Sequence, residues 1–119
     1  MALTEGRHAG EFLLSEAAGK RSRENVTIVS GQDLGAGAVL GKISASGKYT
    51  AVDQAAGDGS QTAVAVLIDA CDATGGDKDA AITARDAEVN GECLDWGSQS
   101  AAETTTGITE LEAVGIIVR

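Results

Sequence analysis

The stretch at residues 62–68, Thr-Ala-Val-Ala-Val-Leu-Ile, leaves the chain few options. Every residue in it but the first is apolar. Side chains alternate along a strand, so Val64, Val66 and Ile68 share one face and Ala63, Ala65 and Leu67 the other. A strand that is apolar on both faces needs cover on both, which places it in the middle of a sheet. Its length is that of an ordinary strand and far too short to cross a bilayer. Asp58-Gly59 reads as a turn before it, and residues 72–77, with Gly75 and Gly76, as a break after it. Residues 62–71 and 79–85 are therefore expected to pair antiparallel through a loop at Gly75-Gly76.

What surrounds this strand is made of small residues. The chain has 119 residues, a size for one domain. It holds 28 large apolar residues against 21 alanines and 16 glycines, so its core must be thin and built on close backbone approach. Such a body has little stability to spare, and oligomerisation is the natural supplement. There is no proline, which leaves tight bends to glycine.

The formal charge is −9, unevenly spread. Residues 1–24 carry four basic and four acidic groups, whereas residues 25–119 carry 14 acidic and five basic. A body of that balance does not hold a phosphate backbone by charge, so nucleic-acid binding is not expected. No apolar run approaches a membrane span, and no apolar segment follows a basic amino-terminal region; neither a membrane segment nor a secretory signal is expected. Cys71 and Cys93 either pair or stay apart, and without an export signal both are expected to be reduced.

Pattern changes near Asn25. Residues 1–24 show no strand alternation and read as an arm whose apolar knot is Phe12, Leu13 and Leu14, with Lys20, Arg21 and Arg23 behind it. The arm is either a loose tail or a segment that orders on a partner. In the second case Phe12 and Leu14, two apart, fill pockets on one side, and the body at 25–119 folds without them. Residues 25–29 are β-branched and strand-like, 31–37 form a glycine-punctuated loop, and 38–43 and 48–52 form a hairpin turning at Ser46-Gly47. Residues 86–91 read as a short strand or bend. Beyond them Leu94 and Trp96 alternate onto one face with Cys93 opposite, and Trp96 reads as a core or interface plug. Ser100 and Glu103 fit a capping box. From it Ala101, Thr104, Thr105, Ile108 and Leu111 line one face of a helix of about three turns. Thr and Gly107 weaken its propensity, so packing must hold it. Residues 115–118 return to an extended run. The expected core is Val64, Val66, Ile68, Trp96, Ile108 and Leu111.

Catalytic chemistry finds little footing. The one histidine, His8, lies in the arm, away from any nucleophile in the body. Two separated cysteines do not make a zinc site. The recurring glycines at 31, 35, 37 and 41 lack the strand-to-helix context of a phosphate loop. Asp69, Asp72, Asp77 and Asp79 read as a solvated acidic turn, with cation binding the lesser alternative since the spacing is not that of an EF-hand. Asp53 and Asp58 would act as acid and base only if folding brought them together. The chain is expected to be no enzyme and to carry no metal or cofactor.

The ordered blocks Val39-Leu40-Gly41-Lys42-Ile43, Gly47-Lys48-Tyr49, residues 58–67, Ala70 with Asp72-Ala73-Thr74, and Ala87-Glu88-Val89-Asn90 resemble the head decoration proteins of tailed bacteriophages, the phage lambda protein D family. The similarity runs from about residue 12 to 119. It implies a mainly β, small α+β fold with one C-terminal helix and a β-clip-like barrel. It also implies a non-enzymatic homotrimer on the outer surface of the expanded head in the virion, which cements the lattice of the major capsid protein. On that likeness Phe12, Leu13, Leu14, Lys20, Arg21 and Arg23 belong to a capsid-contacting arm at 1–24. One departure is Gly97, where the family commonly has proline after the tryptophan. The competing reading from the residues is a small acidic surface adhesion or carbohydrate-binding module. That would need a concave aromatic-lined face, for which Phe12, Tyr49 and Trp96 offer little.

Overall fold

The computed structural model of the protein describes residues 8–97 and 99–119. In chain order the elements are β1 (Leu13–Glu16), β2 (Arg23–Ile28), β3 (Asp33–Leu34), β4 (Val39–Lys42), β5 (Tyr49–Ala51), β6 (Ala65–Leu67), β7 (Cys71–Asp72), β8 (Lys78–Thr83), β9 (Ala87–Val89), a 3-10 turn (Gly91–Cys93), α1 (Ala101–Ala113) and β10 (Ile116–Val118). Strands β2, β5, β4, β6 and β8 close into a barrel, β1, β9 and β10 form a three-stranded sheet, and β3 pairs with β7. The fold is mainly β with one C-terminal helix, as the sequence predicts.

The apolar run at 62–68 is the wall between two cores. Strand β6 lies between β4 and β8. Its Ala65 and Leu67 face the barrel interior with Ile28, Leu40, Cys71 and Ile82. Val66 and Ile68, with Ala63, face the other way, toward Phe12, Val89, Leu111 and Ile116. The antiparallel pairing with β8 is present, Val66 opposite Thr83 and Leu67 opposite Ile82. Regular strand covers less than expected, however. The chain bends at Ile68 and Asp69, and Cys71 belongs to β7, which pairs with β3. At the other end Val64 packs on the barrel side rather than with Val66 and Ile68, because residues 62–64 are not yet regular strand and strict alternation does not apply.

Close backbone approach is literal at Gly41. A Cβ there would lie 2.3 Å from the carbonyl oxygen of Ser60, so β4 and the loop before β6 meet as only glycine allows. The β4–β5 hairpin turns through Gly47 at φ +74°, and the Asp58 side chain accepts from the Ser60 N–H at 3.0 Å, with Gly59 at φ +105° between them.

Helix α1 begins with the expected box: Ser100 Oγ accepts from the Glu103 N–H at 3.2 Å, and Glu103 Oε1 accepts from the Ser100 N–H at 2.9 Å. Its packed face differs from the predicted one. Gly107 and Leu111 are buried, with Thr104 and Ile108 half-buried, whereas Ala101 and Thr105 are exposed. The rotation follows from Trp96, whose ring edge sits where a Gly107 side chain would be: a Cβ there would lie 2.4 Å from its Cζ3. Gly107 is a contact surface, not merely a weak helix former. Cys93 corrects a second expectation. The 3-10 turn breaks the alternation at 92–96, so Cys93, Leu94 and Trp96 all pack on the same core. Both cysteines are free thiols, and burial raises the Cys71 pKa.

Candidate functional site

The first seven residues of the expected arm lie outside the described residues. From residue 8 onward the arm is part of the body. The Gly10 N–H donates to the Ile68 carbonyl at 2.9 Å, and the Phe12 carbonyl accepts from the Asn90 N–H at 2.7 Å. Phe12 itself is 1% exposed, packed among the second core rather than offered to a partner. Leu13 pairs with Val89 and packs partly buried on the same core.

Leu14 takes the opposite course. The register between β1 and β9 slips there, from Leu13 opposite Val89 to Ser15 opposite Glu88, so two steps on β1 match one on β9. Such a bulge re-aims a side chain. Leu14 is 55% exposed, and among the described residues it is the one exposed large hydrophobic side chain. The alternation that put Phe12 and Leu14 on one side is undone by this slip.

The basic residues divide as well. Arg23 is locked onto Glu16 by two bonds, Nε to Oε1 at 2.9 Å and Nη2 to Oε2 at 3.2 Å. Lys20 and Arg21 are exposed on the turn between β1 and β2, Arg21 with Asp86 at 3.7 Å across open solvent. Arg85 steadies this turn by donating to the Arg21 carbonyl at 2.8 Å while pairing with Glu24. Nearby, Glu88 accepts from Ser15 Oγ and from Arg119 Nε, both at 2.8 Å, and these bonds, Arg119 first, lower its pKa. Of the six arm residues, the structure thus presents Leu14, Lys20, Arg21 and Arg23 on the surface, with Arg23 held by its two bonds to Glu16 and Arg21 only loosely by Asp86. It places Phe12 and Leu13 in the body.

The six expected core residues do not form one cluster. Val66 and Leu111 are fully buried and Ile68 is 8% exposed in one core, against which Trp96 packs half-buried; Val64 packs half-buried on the barrel core, and Ile108 is half-buried outside both clusters.

The acidic turn is occupied by its own hydrogen bonds. Asp72 accepts from the Thr74 hydroxyl and N–H, Asp77 from Lys48 Nζ and the Ser30 N–H, and Asp79 from the Thr27 hydroxyl. Among the described residues no group of three or more histidine, cysteine or acidic residues is placed to hold a metal ion.

A groove of about 590 Å³ lies on another side, between β5, the loop after it and the approach to α1. Asp53 and Asp58 both line it, with Glu103, Gln32 and Gln99. Folding does bring the two aspartates to one groove, and Glu103 joins them there, a convergence with no signal in the sequence. Asp53 accepts from the Ala55 N–H at 3.0 Å. The Ser60 hydroxyl, donating to Asp58, holds that carboxyl below its ordinary pKa, so it is a carboxylate at neutral pH and not a proton donor.

Compared with known proteins, residues 2–116 match the family model of the bacteriophage lambda head decoration protein D. Nearly the whole chain is covered, and the chain belongs to that family. No curated protein matches it.

Proposed function

We propose that this chain is a cement protein: it binds the outside of the expanded phage head as a trimer and holds neighbouring major capsid protein subunits together. Membership in the head decoration family across residues 2–116 is the observation that carries the reading. The work is done by binding alone. Three chains joined around one axis raise the effective concentration of each other's contacts, so individually weak attachments sum to a firm one.

The arm at 1–24 remains the proposed capsid contact, with its residues in distinct roles. Leu14, Lys20 and Arg21 make the contact. Phe12 and Leu13 anchor the segment that bears them, and the Arg23–Glu16 pair holds the turn. Burial of one leucine is worth about 1.5–3 kcal/mol before ordering costs. Because β1 is already ordered in the body, little of that is given up on binding. Lys20 and Arg21 add a smaller, salt-sensitive attraction.

The trimer is proposed to form on the lattice. Leu14 apart, the described residues leave no large hydrophobic side chain exposed, which gives free chains little to associate through. The adhesion or carbohydrate reading draws no support from the groove beside β5, whose lining includes no aromatic side chain.

The test uses expanded heads and proheads stripped of decoration protein. Sedimentation should recover the chain with expanded heads only, and decorated heads should withstand heating that ruptures bare ones. Leu14→Asp should keep the wild-type circular dichroism and lose most of the binding. A wild-type chain that ignores expanded heads would end the reading.

A further inference from the structure

The barrel is closed least completely where β5 meets β2. These strands share a single register pair, Ile28 with Tyr49. Past Tyr49 the outer edge of β5 has no strand beside it among the described residues. The Ala51 N–H, which faces that edge, donates instead to the side-chain Oε1 of Gln32 at 3.3 Å, a long bond from a replaceable partner. The 590 Å³ groove runs along this edge. Asp53, Asp58 and Glu103 line it and no lysine or arginine does. Gln99 lines it too, and its amide nitrogen and oxygen are both buried without a hydrogen-bond partner.

We propose that the groove is a second docking site, which takes an extended, lysine- or arginine-bearing segment of the capsid lattice along the open edge of β5. The assignment rests on the capsid-binding reading above. An extended segment offers the Ala51 N–H a backbone carbonyl in place of the Gln32 side chain, the recognition mode in which a strand is added to a sheet edge. A rotation of the Gln99 side chain brings its amide, donor and acceptor side by side, to an occupant's peptide group, which has the same pair. The three carboxylates select a cationic side chain. They also disfavour a second copy of this chain as occupant, since its body carries 14 acidic groups against five basic ones and would add like charge to the groove.

Ala55 sits exposed on the lip of the groove, its backbone N–H donating to Asp53 and its methyl side chain offering no hydrogen bond to lose. Ala55→Lys therefore places a competing cation there without removing a bond. Binding of full-length Ala55→Lys to stripped expanded heads should be at least about ten-fold weaker than wild type, with a shallower salt dependence and unchanged circular dichroism. Ala55→Ser should bind as wild type does. A photo-crosslinker at position 55 of otherwise wild-type chain should join to the major capsid protein. Wild-type affinity in Ala55→Lys, or a crosslink to another copy of this chain, overturns the assignment while leaving the attachment through Leu14 standing. Failure of the wild-type chain to bind heads removes both.

Discussion

Gly107 shows how one residue can read one way in sequence and another in space. In an exposed helix, replacing glycine with alanine stabilises by about 1 kcal/mol. Here the added methyl meets the Trp96 ring at 2.4 Å, closer than real Cβ atoms come. Gly107→Ala is expected to destabilise by about 1–3 kcal/mol in urea unfolding, the range for overpacking. Stabilisation would mean that the ring moves aside freely. Phe12 carries the second prediction at this scale. It is 1% exposed, so Phe12→Ala should cost about 3–5 kcal/mol, the usual loss for a buried phenylalanine. A loss below about 1 kcal/mol would return Phe12 to the surface. Neither residue's role could be read from its neighbours in sequence. Both depend on a partner elsewhere in the chain: Trp96 for the one, and for the other β9 and the second core.

Among the elements, those with strong local signals were legible. The capping box, the hairpin at Gly47, and the pairing of the 62–68 run with the strand after Gly75-Gly76 all appear where the sequence puts them. What escaped was β1. Its four residues alternate poorly because a bulge at Leu14 breaks the period, and its partner lies more than seventy positions away. Short loops between elements are held by carboxylates, and this gives a pH prediction. Asp58, Asp72, Asp77 and Glu88 all have lowered pKa values, through bonds from Ser60, Thr74, Lys48 and Arg119 respectively. A lowered native pKa favours the folded state above the unfolded value, and that contribution disappears as pH falls through the native one. The urea midpoint should therefore be flat from pH 7 to about 5 and decline below about 4, where unfolded carboxylates titrate. A midpoint that rises on acidification would contradict these assignments.

At the scale of the molecule, family and fold class were readable because ordered blocks and a two-faced apolar strand survive any uncertainty about element ends. The acidic groove was not, since Asp53, Asp58 and Glu103 converge only after the barrel and the helix are both in place. The state of the thiols belongs here too. Cys71 is buried and Cys93 half-buried, both free. A thiol reagent should count two under denaturing conditions and, in the native protein, react with Cys93 well before Cys71. A count of zero in freshly made denatured protein would show a disulfide instead.

The three-stranded sheet has a consequence in time. Strand β9 is flanked by β1 on one side and β10 on the other, so its two neighbours come from opposite halves of the sequence. During synthesis β1 leaves the ribosome long before β9 and finds no neighbour. Phe12, whose core also needs Leu111 and Ile116, must stay exposed or loosely covered until all of them have emerged. The barrel strands between can pair sooner, which makes the sheet the last part to close. Its contacts span most of the sequence, and closing them is slow for a domain of this size. A ribosome-bound chain stalled with β8 just emerged should be cut by protease near Phe12, and the site should become resistant once β9 and β10 are free.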